Sequence, residues 1–172
     1  RIKENSLKID FLNFEKKYNT EIEVKIDGFK KLNKEIIFSL LSLKEQKNKI
    51  TIKDLVLRKN EISDIKELNL DYFDNVNFKN SVILAKKKDR EYTLNGSSFN
   101  ANNLIDTLLK KDSTTKSKII DKNLKLKTQI DKVLLDKKNH INNFSGNLTY
   151  NNFQVDSANF EGILNDNKKL NF

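Results

Sequence analysis

Apolar and polar residues alternate along most of this chain. Leu7-Lys-Ile9-Asp-Phe11, Ile22-Glu-Val24-Lys-Ile26, Ile36-Ile-Phe38-Ser-Leu40 and Ile50-Thr-Ile52 are the first clear cases. Leu55-Val-Leu57, Leu68-Asn-Leu70-Asp-Tyr72 and Val76-Asn-Phe78 continue the pattern. Leu124-Lys-Leu126-Lys-Thr128-Gln-Ile130 and Phe144-Ser-Gly146-Asn-Leu148-Thr-Tyr150 carry it towards the C-terminus. A period of two gives each strand one apolar and one polar face. Antiparallel sheets with one wet side read this way; parallel sheets buried on both faces do not. The spacing predicts roughly ten or more short strands in a mainly β, antiparallel meander.

The turns between these strands are supplied by Asn, Lys and Asp. There is no Pro, and the only glycines are Gly28, Gly96, Gly146 and Gly162. Asn tolerates positive φ and can replace Gly in a tight turn. Turns are predicted at Glu45–Lys49, Arg58–Glu61, Lys86–Arg90, Asp136–Asn139 and Asn165–Lys168. The sharpest hairpin is Leu148-Thr-Tyr150-Asn151-Asn152-Phe153-Gln-Val155. With Asn151-Asn152 as a two-residue loop, Tyr150 faces Phe153 and Leu148 faces Val155, all on one apolar face.

One stretch breaks the alternation. In "YTLNGSSFNANNLIDTLLKK" (Tyr92–Lys111) the spacing predicts a strand Tyr92–Asn95 interrupted at Gly96, then a helix of about ten residues. Asn100 has the chemistry of an N-cap. Phe99 and Leu104 stand at the positions of a hydrophobic staple. Leu104, Ile105, Leu108 and Leu109 share one helical face, and Lys110 and Lys111 close the end where cations favour the helix dipole. Such a helix is too short to stand alone, so its apolar stripe is expected to pack on the sheet. Asp112–Lys118 reads as a loop to the next strand. The sequence thus divides into antiparallel strands over 1–95, helix and loop over 96–118, and antiparallel strands over 119–172. All belong to one segment, and the absence of Met suggests a piece of a longer chain.

Composition narrows the functional classes. Without Cys there are no disulfides and no thiolate metal sites. The chain has 33 Lys and Arg against 24 Asp and Glu, and a basic chain invites a nucleic-acid reading. Only three of those residues are Arg (Arg1, Arg58 and Arg90), the residue suited to bidentate phosphate and guanine contacts. Lys otherwise alternates with Asp and Glu, as in Glu23–Lys25–Asp27, which describes a solvated face. Lys110–Lys138 departs from this, with ten Lys and four Asp, a patch suited to anionic headgroups. No nucleic-acid partner is expected.

Catalytic ingredients are thin. His140 is the only histidine and falls in a predicted turn, with no Cys to pair with. The glycines form no phosphate loop. The "DYFDN" and "NDN" clusters at Asp71–Asn75 and Asn165–Asn167 lack Ca²⁺-loop spacing. No catalytic residue, metal or cofactor is assigned, and the chain is expected not to be an enzyme. The aromatic residues follow the apolar parity of their strands, which favours core or groove lining over base stacking.

"YTLNGSSFNANNLIDTLL", followed by "LKLKTQIDKVLL" and "INNFSGNLTYNNFQVDSANFEGIL", resembles the AsmA-like proteins, in particular the C-terminal region of the YhdP type. The resemblance covers roughly Ile50 to Phe172. Asn100 stands where the family pattern has Asp, and it keeps the capping chemistry. The resemblance implies a strongly curved sheet, an open groove resembling a β-taco with an apolar inner face. It also implies an inner-membrane-anchored periplasmic protein of the Gram-negative envelope, similar to bridge-like lipid transporters. Such a protein moves phospholipid between inner and outer membranes and so serves outer-membrane biogenesis. On this reading Leu124, Leu126, Ile130, Leu148, Tyr150, Phe153 and Val155 line the lipid groove, and headgroups stay near the Lys-rich residues 110–138. The alternative is a closed structural β-domain acting as periplasmic scaffold or outer-membrane assembly factor. The same alternation would serve either, since parity cannot say whether the apolar face is closed against a second layer.

Overall fold

The computed structural model describes residues 1, 3–31, 35–59, 61–103, 123–136, 138–151, 154–165 and 167–171. A small hairpin comes first: β1 (Leu7–Ile9), a 3-10 turn (Asp10–Leu12) and β2 (Phe14–Lys16). A run of long strands follows: β3 (Glu23–Lys30), β4 (Ile36–Glu45), β5 (Asn48–Arg58), β6 (Glu61–Asp64), β7 (Glu67–Phe73), β8 (Lys79–Lys88) and β9 (Glu91–Asn100). The chain then forms β10 (Leu124–Leu134), β11 (His140–Asn151), β12 (Gln154–Leu164) and β13 (Lys169–Asn171). All five predicted turns fall between strands. Asn13, Asn19, Asn77, Asn143 and Asn167 take positive φ, whereas no glycine does. Val76–Phe78, predicted as strand, is instead a loop: the Asp74 carboxylate accepts from the Val76 N–H at 3.1 Å and the Phe78 N–H at 2.8 Å. A side chain that captures backbone donors in this way competes with a strand ladder.

β3 to β13 build one mixed sheet, in the order β13-β12-β11-β10-β9-β8-β7-β5-β4-β3, with β6 paired to β5 beside β7. The sheet is open and not strongly curled, which corrects the expected curvature: no ladder among the described residues joins β3 to β13. The meander is also not antiparallel throughout, because β9 and β10 run parallel, with Glu91 beside Lys125 and Asn100 beside Leu134. A parallel pair cannot be joined by a tight turn and needs a crossover of about a dozen residues or more. The link from β9 to β10 is therefore a crossover and not a hairpin turn. The interruption in the alternation follows from this topology.

The predicted helix face of Leu104, Ile105, Leu108 and Leu109 lies outside the described residues, as does the loop Asp112–Lys118. The start of the helix is described. Asn102 and Asn103 take helical backbone, and the Asn100 side-chain oxygen accepts from the Asn102 N–H at 3.1 Å, a capping bond. Gly96, however, does not end a strand. β9 runs through it to Asn100, with a register shift where Val82 faces Gly96 and Ser81 faces Ser98. A Cβ at Gly96 would collide with the Ser81 carbonyl oxygen and with Val82, so the glycine permits close strand approach rather than a break.

Irregularities of this kind line up across neighbouring strands. In β4 and β5 the ladder passes from Leu41–Ile52 and Leu40–Lys53 directly to Phe38–Leu55, leaving out Ser39 and Asp54, and Asp54 has φ 47°. Phe38 rather than Leu40 therefore shares a face with Leu41. A second line crosses β9, β10 and β11, where Ser97, Asp131 and Asn143 drop out of the ladders. Beyond it the apolar positions shift from Ile130 and Phe144 to Val133 and Ile141. Each bulge moves the apolar parity by one residue, and doing so at one level in adjacent strands keeps apolar side chains together.

The hydrophobic core sits between this sheet and the N-terminal segment. Leu12, Phe14 and Ile22 pack with Ile50, Leu70, Tyr72, Val82, Ala101, Ile130 and Val133. Tyr72 is fully buried, donates its hydroxyl to the Leu12 carbonyl at 2.5 Å and meets the Phe14 ring edge-on at 5.6 Å. Burial, with the nearby Asp74 charge adding, pushes the Tyr72 hydroxyl well above its usual pKa. Lys16 is also fully buried: its ammonium donates to the carbonyls of Lys3 at 3.0 Å, Lys17 at 3.2 Å and Asn5. It ties residues 3–5 to β2. An ammonium in such a site must be fully hydrogen-bonded to be tolerated.

Candidate functional site

Register places the apolar residues in rows that cross the sheet. One row runs Val24–Leu43–Ile50–Leu70–Val82 and continues through Gly96 and Ile130 to Phe144. The N-terminal segment covers the middle of this row, and Ile50, Leu70, Val82 and Ile130 are buried. The next row, two residues further along each strand, runs Ile26–Leu41–Ile52–Leu68–Leu84–Leu94. It continues through Thr128 and Gly146 to Phe160. From Leu41 to Leu94 its side chains are only half-buried, and Ile26 is 66% exposed. Beyond it lie Tyr92, Leu126, Leu148 and Ala158, then Leu124, Tyr150 and Val155. The apolar face thus grades from a covered end to a bare one.

This geometry sorts the predicted groove residues. Leu124, Leu126, Leu148 and Tyr150 fall together on the half-buried part of the face, paired Leu124–Tyr150 and Leu126–Leu148. Ile130 shares their face, but only 2% of it is exposed and it belongs to the core, so it is not surface lining. The hairpin register differs from expectation by two residues at Tyr150 and by three at Leu148. Asn151 pairs with Gln154, Tyr150 with Val155 and Leu148 with Ala158, with a bulge next to Tyr150. Tyr150 therefore faces Val155, which is 59% exposed, and Phe153 lies outside the described residues. The shift at Tyr150 is present from the pair nearest the turn, Asn151–Gln154; the bulge then absorbs Asp156 of β12 and brings Ala158 rather than Ser157 opposite Leu148.

Gly146 shapes the C-terminal part of the face. It sits opposite Phe160, and a Cβ there would strike the Asn159 carbonyl and the Phe160 ring. Phe160 stacks on Phe144, with ring centroids 5.3 Å apart. These rings lie next to Thr128, whose hydroxyl is buried and has no hydrogen-bond partner among the described residues.

The opposite face is mainly polar and partly exposed, with Thr51 buried in it and Ile83 the apolar exception in its middle row. Lys25, Ser42, Thr51, Asn69, Ile83, Asn95, Gln129, Ser145 and Glu161 form one register row across it. Lys53 pairs with Glu67 at 2.8 Å and Lys79 with Asp71, as expected of interspersed charges on a solvated face. Of the Lys-rich stretch, Lys125, Lys127, Lys132 and Lys138 are described and exposed. Lys125 and Lys127 alternate with Leu124 and Leu126 and so sit on the polar face, not at the rim of the apolar one. A shallow hollow of about 450 Å³ lies over this face, lined by Lys127, Gln129, Ser145, Asn147, Asn159 and Glu161 among others. It is polar and open to solvent.

Two polar clusters went unrecognised in the sequence. At one end of the sheet, Asp74, Asn80 and Asn100 are buried together. Asn100 donates its side-chain amide to Asp74 at 2.7 Å and its backbone N–H to the Asn80 side chain at 2.8 Å. Asn103 donates to the Asp10 carbonyl at 2.9 Å and to the Asn13 side chain at 3.0 Å, which ties the start of the crossover to the N-terminal segment. The Asp74 carboxylate is occupied by these donors and by its own loop, so the "DYFDN" cluster is a structural pin. Near the other end, Lys86 donates to Asp64 at 2.7 Å and the Tyr92 hydroxyl donates to it at 3.1 Å. Burial acts to raise the Asp64 carboxyl, but Lys86, Tyr92 and the Ile65 N–H outweigh it and hold the carboxyl below its ordinary pKa. The bond to Asp64 raises Lys86, and burial followed by the Asp64 charge raises Tyr92. His140 opens β11 opposite Leu134 and belongs to neither cluster, and among the described residues no three His, Asp or Glu side chains are grouped to hold a metal ion. Compared with known proteins, the chain matches no family model, no curated protein and no solved structure.

Proposed function

We propose that this chain is a segment of an apolar β-wall that binds phospholipid acyl chains, within a periplasmic envelope protein that conducts phospholipid between the inner and outer membranes. The observation that carries the reading is the half-bare row Leu41–Ile52–Leu68–Leu84–Leu94, with Leu126 and Leu148 in the row beside it. An apolar surface of this extent calls for an occupant. Nine strand spacings give the wall a width of roughly 43 Å, several times the ~15 Å depth of one leaflet's hydrocarbon. Acyl chains lie against the leucines while headgroups remain in water. The part played is non-enzymatic: it offers apolar contact and excludes water, with no bond made or broken. Curling of the wall into a groove belongs to this proposal, through strands that neighbour β13 in the longer protein.

The structural alternative has its own support. The N-terminal segment already covers the adjacent row and buries Tyr72 and Phe14 against it, so a scaffold domain could close the remaining face in the same way. Lipid extraction and mass spectrometry of the purified chain separate the two readings. The expected result is co-purifying phospholipid, or uptake from vesicles of a phospholipid bearing a photoreactive acyl chain, with cross-links on Leu68, Leu94, Leu126 or Leu148. Protein that carries no lipid and takes up none overturns the conduit and leaves the scaffold or assembly role.

A further inference from the structure

β3 ends the sheet, and no strand among the described residues pairs with its outer edge. It is eight residues long, and Ile26 and Phe29 on it are 66% and 54% exposed. A long open edge is a template for another strand, and its sequence, Glu-Val-Lys-Ile-Asp-Gly-Phe over 23–29, is self-complementary about Ile26. We infer that the outer edge of β3 pairs antiparallel with the same edge of a second copy, about a two-fold axis through Ile26, to give a continuous sheet spanning both chains.

Register carries the argument. Val24, Ile26 and Gly28 share the apolar face, because they face Leu43, Leu41 and Phe38 in turn. A two-fold axis passing through a residue position pairs even-numbered residues with even, and so keeps the apolar faces of the two copies continuous. A pairing of even- with odd-numbered residues would need one copy turned over, which breaks the two-fold symmetry and sets apolar against polar side chains. Centring on Lys25 would set Lys25 against the partner's Lys25 and Glu23 against the partner's Asp27. Centring on Asp27 would set that carboxylate against the partner's Asp27. More distant centres shorten the overlap. Centring on Ile26 uses residues 23–29 in full and pairs Lys25 with the partner's Asp27 twice over, by symmetry. It also sets Ile26 against the partner's Ile26 and Val24 against the partner's Gly28. Opposite charges directly across a pair of strands stabilise it and like charges oppose it, so the charge pattern selects this register. The contact is isologous and closes at two chains, so it does not propagate into a fibre.

Sedimentation of the chain, with cross-linking, tests the inference. The chain contains no native Cys, so Ile26→Cys introduces a single thiol. Facing Cα atoms in antiparallel strands lie about 4.5–5.5 Å apart, within disulfide reach, so the variant is expected to form a covalent dimer under mild oxidation. Asp27→Lys sets Lys25 against a like charge at both symmetric positions and is expected to weaken the dimer about tenfold or more. The double variant Lys25→Asp/Asp27→Lys restores opposite charges and is expected to recover it. Both positions are exposed, and circular dichroism verifies that the sheet persists. A chain that stays monomeric at high concentration overturns the inference. So does a dimer that ignores Asp27→Lys, or one that the double exchange fails to rescue, since either places the interface elsewhere.

Discussion

Gly96→Ala tests whether this glycine is present for close strand approach. Gly96 lies in β9 between two paired strands, opposite Val82 on one side and Ile130 on the other. An added Cβ would meet the Ser81 carbonyl oxygen, and would lie 2.7 Å from both Cα and Cγ1 of Val82. Its φ is not positive, so alanine suffers no backbone strain there. At an uncrowded position the exchange would stabilise the protein by about 0.4–1 kcal/mol, through lost freedom in the unfolded chain. Overpacking opposes this by about 1–3 kcal/mol. The upper part of that range applies, since two of the three colliding atoms are backbone held by ladders on both sides. The net expectation is a loss of about 2 kcal/mol, or a fall in Tm of about 4–8 °C for a chain of this size. Urea unfolding followed by far-UV circular dichroism, repeated by thermal melting, measures it. Gly28→Ala is the comparison: its Cβ would meet the Ile37 carbonyl oxygen at 2.5 Å, but β3 is an edge strand and can shift, so its loss should be smaller. An unchanged or raised midpoint for Gly96→Ala, with the m-value preserved, would refute the close-approach account.

Tyr72→Phe removes the hydroxyl that serves the buried Leu12 carbonyl and should lower stability by about 1–2 kcal/mol in urea melts; no loss would mean that the N-terminal segment is not pinned there. Thr128→Val replaces a buried, unpartnered hydroxyl by a methyl group of similar shape and should raise stability by about 1 kcal/mol; a fall would show that the hydroxyl has a partner. Asp64, held below its ordinary pKa, contributes stability that is complete above about pH 5 and lost as pH falls through its lowered value. Lys86 and Tyr92, both raised, contribute stability that is complete below about pH 10 and lost as pH rises through their raised values. Stability should therefore plateau between these limits, and Asp64→Asn should flatten the acid limb; an acid limb unaltered by that variant would remove Asp64 from the account.

Strand existence and turn positions were legible because each depends on a few neighbouring residues. The predicted turns fell where they were placed, although positive φ in them falls on Gln46, Lys59 and Arg90 and on Asn only at Asn167. The parity shifts were harder to read. "IIFSLLSL" in β4 holds apolar residues at Phe38 and Leu41, three apart, which within one strand looks like noise. It makes sense only beside Ile52 and Leu55 of β5, where Asp54 turns at the same level. The hairpin at Tyr150 slipped at its first pair, Asn151–Gln154, and the bulge beyond it added one more residue. The parallel pairing of β9 with β10 left only an indirect trace, the long interruption after Asn100. As for the site, parity identified the apolar face, and Leu124, Leu126, Leu148 and Tyr150 do share it. Which part stays bare was not legible, because Ile130 is covered through a core that includes Leu12 and Phe14, far away in sequence.

The parallel ladder has a consequence for how the chain can be divided. Every other ladder of the large sheet joins strands on the same side of the crossover: β3 to β9 form one set of local pairings, and β10 to β13 another. Among the described residues the nine facing pairs of β9 and β10 join the two sets edge to edge, Ile130 and Val133 reach the core of the first set, and the covalent link between them is the single span 101–123. Two peptides separated within that span would each keep all their own hairpins. Together they would carry complementary free edges, β9 on one and β10 on the other, with the parallel register already specified. The sheet is thus organised as a split protein: its two pieces, made separately, should find each other and rebuild the apolar wall without the connection that joins them.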